Sequence, residues 1–196
     1  MSERLVLASA SPRRAELLGG LRLFFEIRPA DIDESVLHGE TGAGYVSRLC
    51  AEKAQAVVGN NEVVIAADTT VELKGELLGK PESPEEATEM LQRLSGQTHS
   101  VHTGVCVHRM HNNEQLVRVR VVTTQVAFAD LPQHWIDWYV STGEPMDKAG
   151  AYGMQGSASL FVASIVGSPS NVIGLPLATV ARLMNEVGTD LFSFAR

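Results

Sequence analysis

The run Val63-Val64-Ile65-Ala66-Ala67, closed by Asp68-Thr69-Thr70, constrains the fold more than any other stretch of the chain. Consecutive apolar residues rich in β-branched side chains predict a buried strand, here stopping at a polar edge. Ligands meet open α/β sheets just beyond the carboxyl ends of strands. Asp68 is therefore a candidate to hold a divalent cation or to deprotonate water. The competing role is that of an aspartate that starts a turn.

Around this strand the pattern alternates. Residues 5–8 form a second apolar run, and Ser9-Ala10-Ser11-Pro12-Arg13-Arg14 leads from it into a helix stopped by Gly19-Gly20. Ser11 suits the N-cap and Pro12 the first helical position. Residues 23–27 predict a strand, residues 29–40 an acidic loop, and residues 41–58 a helix with Val46, Leu49, Cys50, Ala54 and Val57 as its apolar stripe. Residues 71–78 predict a hairpin turning at Lys74-Gly75, and Ser83-Pro84-Glu85-Glu86 opens a helix with a capping box. Residues 98–109 and 116–128 predict a long antiparallel pair. A helix at 131–139, an irregular glycine-rich segment at 141–157, a strand at 160–165 and a helix at 176–187 follow. Helices interspersed with strands, one pair antiparallel, predict a mixed α/β sheet. One domain, residues 1–196, accounts for the chain.

Composition narrows the partners. A net charge of -7 argues against a nucleic-acid polymer, which needs a basic stripe, and leaves room for a single nucleotide. Cys50 and Cys106 are the two cysteines, which suits a reduced compartment rather than a disulfide scaffold. The opening residues lack the pattern of a secretory leader and no apolar run is long enough to span a bilayer. The expected location is the cytoplasm, with no membrane partner.

Several residues could carry chemistry. Arg13 and Arg14 beside a helix N-terminus suit phosphate, against the plainer reading of a solvated arginine pair. Lys53 points with the apolar stripe of its helix and needs an anion there, either phosphate or a carboxylate such as Glu34, unless it snorkels to water. Gly75-Glu76-Leu77-Leu78-Gly79-Lys80-Pro81 is one residue short of a P-loop, with Pro81 where Ser or Thr should hold magnesium. Lys80 remains only as a lone cation. In the stretch from Glu144 to Gly156, three glycines spaced by two residues let backbone approach a ligand, while Asp147, Lys148 and Gln155 offer hydrogen bonds. Gln155 suits the amide-like edge of a base. His102, Cys106 and His108 share one strand face but lack the spacing of a zinc site, and read as half-exposed hairpin residues.

Six blocks in order carry a resemblance: Ala8-Ser9-Ala10-Ser11-Pro12-Arg13-Arg14, Ala66-Ala67-Asp68-Thr69, Gly79-Lys80-Pro81, Leu94-Ser95-Gly96-Gln97-Thr98-His99, Asp147 to Gly156, and Asn171-Val172-Ile173-Gly174-Leu175-Pro176. Together they resemble the Maf family. The resemblance implies an elongated mixed α/β fold similar to inosine-triphosphate pyrophosphatases, with two lobes around a cleft. It implies hydrolysis of a nucleoside triphosphate between its α- and β-phosphates, with a divalent cation of magnesium or manganese type. Asp68 would be the proton acceptor and, with Glu34, a metal ligand. Ser9, Arg14, Lys53 and Lys80 would handle phosphate. Arg13, Thr69 and Gln155 are similar to the branch acting on dTTP and UTP; the 7-methyl-GTP branch resembles Trp, Gln and Glu there. The alternatives are that second branch, or a nucleotide-binding regulator of cell division with incidental catalysis. The expected partners are the nucleotide and a second copy of the chain.

Overall fold

The two apolar runs pair in parallel, and the sheet grows from that pair. The computed structural model describes residues 3–196. Strand β1 (Arg4–Ala8) lies parallel to β3 (Glu62–Leu73), with Leu5 opposite Val63 and Ala8 opposite Ala66. Strand β2 (Glu26–Ile27) is parallel to β1. Lys74 and Gly75, both at positive φ (53° and 86°), turn β3 into antiparallel β4 (Glu76–Leu78). Asn112 and Asn113, also at positive φ (50° and 65°), join β5 (Thr98–His111) to β6 (Glu114–Phe128). Such paired positive φ angles suit a two-residue hairpin turn. Strand β7 (Val162–Val166) runs antiparallel to β6. The order is β2-β1-β3-β5-β6-β7, with β4 on β3, which makes seven strands.

Six α-helices accompany the sheet among the described residues: α1 (Pro12–Gly19), α2 (Gly42–Val57), α3 (Pro84–Leu94), α4 (Gln133–Ser141), α5 (Pro169–Ile173) and α6 (Leu177–Glu186). The mixed α/β expectation holds. None of the described helices is long and apolar enough to cross a membrane.

Four details differ from the sequence reading. Strand β3 runs on through Asp68 to Leu73, because Thr69, Thr70 and Val71 are good strand formers. What ends near Asp68 is the ladder to β1, whose last pair is Ala8 with Ala66. Of residues 23–27 only two form the strand, Leu23 making a lone bridge to Ala195. In the α3 capping box Ser83 accepts from Glu86 N–H at 3.2 Å, but the Glu86 carboxylate takes Glu82 N–H at 2.7 Å rather than that of the cap. The short helix α5 was not foreseen.

The chain divides into two compact units. The first is the described part of Met1–Asp68 with Thr103–Val122 and Gly174–Arg196. Alternate residues of its strands enter opposite cores, as buried parallel strands require. Leu5, Leu7, Val63, Ile65, Ala67, Val105 and Val107 pack with Leu18 of α1 and Val180, Leu183 and Met184 of α6. Val6, Ala8, Val64, Ala66 and Cys106 pack with Cys50 and Ala54 of α2. Helix α2 comes so close to β5 that a Cβ at Gly104 would strike the carbonyl of Val46, so only glycine fits there.

The second unit is Thr69–His102 with Thr123–Ile173. Its core joins Val71 and Leu73 of β3, Val101, Val126 and Phe128 to Leu91 and Leu94 of α3, Ile136 and Tyr139 of α4, and Tyr152 and Phe161. His99 is buried there, its Nε2 hydrogen-bonded to the Tyr152 hydroxyl at 2.7 Å and its ring edge-on to Phe128.

Burial pushes the His99 imidazole down from 6.5 to about 4. The unfolded chain therefore takes up a proton below pH 6.5 that the folded chain refuses, so this residue's contribution is complete above that pH and is lost as pH falls toward 4. Between pH 7 and pH 5 the loss is about 2 kcal/mol. Urea denaturation at the two pH values checks it: His99→Phe should lack this component of the slope, and an unchanged slope would refute the assignment.

Candidate active site

The parallel ladder between β1 and β3 ends in the first unit, and the residues just past its last pair carry the polar groups. Ser9 comes directly after β1, and Asp68 lies two residues beyond the last β1–β3 pair. Ser9 is buried, and its hydroxyl accepts from Ser11 N–H at 3.2 Å and from the Arg14 guanidinium at 3.1 Å. Ser11 occupies the N-cap position of α1 without a capping hydrogen bond from its side chain. Pro12 starts the helix as expected. Arg14 also donates to the carbonyl of Gly174 at 2.9 Å. Burial pulls its guanidinium below the ordinary value, and the charge of Asp68 opposes this. Arg13 neighbours it on the first turn of α1, half-buried.

Helix α2 supplies the third side. Thr41 caps it, accepting from Gly44 N–H at 3.2 Å. The stripe that buries Val46, Leu49, Cys50 and Ala54 also buries Lys53. Its ammonium lies 2.6 Å from Asp68 Oδ1 and 2.8 Å from Glu34 Oε1. The lysine thus has the anionic partners that its inward direction required, and Glu34 is one of them. Asp68 is 6 % exposed, and desolvation holds its carboxyl above the ordinary range while Lys53 and Arg14 pull it back. The outcome is a carboxylate with raised proton affinity beside two cations.

Among the described residues no three His, Cys, Asp or Glu side chains gather as a metal cage. Asp68 and Glu34 nonetheless converge on one cation, the Lys53 ammonium. Two carboxylates of that kind fit an ion of magnesium type, which completes its shell with water and substrate phosphate.

The remaining candidates belong to the second unit. Thr69 follows Asp68 on β3 and is half-buried, and successive strand residues point to opposite faces. Lys80 and Gln155 are exposed. The loop before Lys80 is tied to the glycine-rich segment by Gly150 N–H donating to the Gly79 carbonyl at 2.9 Å. The glycines of that segment serve its own packing. Gly150 (φ 69°) abuts Val71, Gly153 lies against the Lys148 stem, and Gly156 against the Glu144 carboxylate. Lys148 is engaged by Asp147 at 2.6 Å and by the Glu144 carbonyl at 2.5 Å.

His102, Cys106 and His108 are buried, not half-exposed as their strand position implied. His102 Nδ1 bonds the Thr123 hydroxyl at 2.9 Å, and burial lowers the affinity of His108 for a proton.

Sequence reasoning missed Tyr45 and Arg48. The Tyr45 hydroxyl donates to the Glu34 carbonyl at 2.9 Å, and burial with the charges of Asp68 and Glu34 pushes it up to about 12. Arg48 forks onto Glu40 at 2.8 Å through two nitrogens. The available signal was a Tyr and an Arg three apart on a helix directly after a loop holding four carboxylates.

Residues 4–187 match the family described as Maf-like protein. The chain belongs to the Maf family. Relatives include the dTTP/UTP pyrophosphatase of Anaeromyxobacter dehalogenans (strain 2CP-C), 56% identical over 191 residues that cover 97% of each chain. The dTTP/UTP pyrophosphatase of Myxococcus xanthus (strain DK1622) is 49% identical over 189 residues, 95% of this chain and 94% of that one. That of Symbiobacterium thermophilum is 45% identical over 193 residues, 97% of each.

The buried pair makes a stability prediction for this Maf protein. Lys53→Met leaves Asp68 desolvated without its counter-ion, which typically costs about 3–5 kcal/mol. Adding Asp68→Asn removes the stranded charge and should recover most of that loss in denaturant titrations at pH 7. Equal losses in the single and double variants would sink this account of the pair.

Proposed function

We propose that this chain hydrolyses dTTP and UTP to the nucleoside monophosphate and pyrophosphate. The observation that carries the reading is the buried Asp68 carboxylate held against Lys53, with Arg14 acting on it, in a chain whose relatives bear that activity in their names.

Phosphoryl-type transfer needs charge neutralisation and an oriented nucleophile more than covalent catalysis. Arg13, Arg14, Lys53 and Lys80 neutralise the triphosphate, and the Ser9 hydroxyl donates to a phosphate oxygen. Asp68 orients the attacking water and accepts its proton. Burial favours that step, because a carboxylate deprived of solvent binds a proton more tightly. Lys53 opposes that effect by favouring the ionised form. Glu34 and Asp68 hold the divalent cation, of magnesium or manganese type, which when bound supplies further neutralisation of phosphate charge. Arg13, Thr69 and Gln155 read the base; their side chains suit a neutral pyrimidine with carbonyl and N–H edges. The Trp, Gln and Glu of the other branch suit a cationic purine. A second copy of the chain and a cytoplasmic location belong to the same proposal.

Asp68→Asn keeps the shape but cannot take the proton, so dTTP turnover should fall by about 10²–10⁴-fold with nucleotide binding still measurable. Pyrophosphate release across a nucleotide panel, under several divalent cations, reads this; near-normal turnover would remove Asp68 as the base.

Base choice is tested separately. Arg13→Trp, Thr69→Gln and Gln155→Glu combined should depress kcat/KM for dTTP and UTP and raise it for 7-methyl-GTP. Gln155→Glu alone should cost the pyrimidine substrates roughly 5–150-fold, the effect of leaving one polar partner unpaired. A wild type that prefers 7-methyl-GTP, or a triple variant with unchanged ranking, would overturn the substrate assignment and leave the hydrolysis standing.

A further inference from the structure

Glu34 sits on a loop that has almost nothing apolar to hold it. Residues 33–39 are all exposed, including Val36 at 54% and Leu37 at 55%, and the Glu34 side chain itself is 46% exposed. A loop without buried side chains keeps its shape only through polar ties. Within the loop Asp33 accepts from the Ser35 N–H and hydroxyl at 2.9 and 2.6 Å, and the ties that reach beyond it go to one helix. The Arg48 fork grips both oxygens of Glu40, and the same guanidinium donates to the Ser35 carbonyl at 3.0 Å. The Tyr45 hydroxyl takes the Glu34 carbonyl, and the Arg48 guanidinium lies over the Tyr45 ring at 5.7 Å. Glu40 in turn accepts from Leu37 N–H at 3.1 Å. Two of these bonds end on the main chain of Glu34 and Ser35, so they fix where the Glu34 carboxylate starts from without touching its charge.

We propose that Arg48 and Tyr45 are positioning residues that clamp the 31–40 loop so that Glu34 meets Lys53, and thereby set how tightly the divalent cation is held. This rests on the reading of Glu34 as a metal ligand. Arginine is required at the centre of the clamp because its planar fork serves a carboxylate and a carbonyl together, which a lysine ammonium does not reproduce.

The test uses the full chain and has three readouts. Manganese binding in the presence of a non-hydrolysable α,β-imido analogue of dUTP should weaken about 10-fold in Arg48→Met, the size typical of lost outer-shell support. Tyr45→Phe, which deletes one hydrogen bond and no packing, should weaken it about 3-fold. Arg48→Lys should fall between wild type and Arg48→Met. The manganese concentration for half-maximal dTTP hydrolysis should rise in parallel, while kcat at saturating metal stays within about 2-fold of wild type. Cleavage after Glu34 and Glu40 by a glutamate-specific proteinase should speed up in Arg48→Met. In a Glu34→Gln background Arg48→Met should add less than about 2-fold, since residues acting through one another are not additive. Wild-type metal affinity in both Arg48→Met and Tyr45→Phe, or full additivity with Glu34→Gln, would overturn the clamp. If Arg48→Met fails to fold, Tyr45→Phe decides by the same criteria. If the wild type hydrolyses neither dTTP nor UTP, the proposed function fails, and manganese binding with proteolysis still decides the clamp.

Discussion

The ion pair between Lys53 and Asp68 is the constraint around which the first unit is arranged. A buried pair of this kind is no cheap source of stability, because each ion gives up its hydration and the Coulomb attraction only just compensates. Here desolvation outweighs the nearby cations and leaves the Asp68 carboxyl with a raised proton affinity. The chain nonetheless builds three elements to hold it. Strand β3 brings the carboxylate past the end of β1, α2 delivers the ammonium along an apolar stripe, and Gly104 lets α2 lie directly on β5. A chain selected for stability alone would place leucine or methionine at such positions.

The pair also divides rigid parts from adjustable ones. Lys53 and Asp68 lie on regular elements joined through the buried Cys50, Ala54, Val64 and Ala66, so their separation is set by the packing of the sheet and helix. Glu34, the third member, rides on an exposed loop tied by hydrogen bonds. The same carboxylate chemistry is therefore mounted in two ways, one fixed and one able to loosen.

Much of this arrangement was legible in the residues. The inward direction of Lys53 followed from helical spacing, and its need for an anion followed from the cost of burying an ammonium. Lys74-Gly75 marked its turn through local backbone chemistry, and the apolar runs marked β1 and β3. The misses share a different cause. Thr69, Thr70 and Val71 favour a strand locally, but whether β3 continues through Asp68 depends also on which neighbours pair with it. Arg48 and Tyr45 bond to a loop that precedes them by eight to thirteen residues, and polar helix faces look alike whether they meet a loop or water. The glycines at 150, 153 and 156 advertised close approach correctly, but the approaching groups are Val71, Lys148 and Glu144 of the chain itself. His102, Cys106 and His108 were misread as half-exposed because alternation gives the face of a strand and not what covers it.

The close contact of α2 with β5 has one further chemical consequence. Cys50 of α2 and Cys106 of β5 belong to the same buried cluster, and burial raises both thiols, Cys106 to about 12. Only the thiolate reacts at an appreciable rate. The folded chain therefore keeps both sulfurs inert, and an alkylating reagent finds them only when this seam parts. Since α2 also carries Lys53, the two sulfurs are a built-in clock for how often the helix lifts from the strand beneath it.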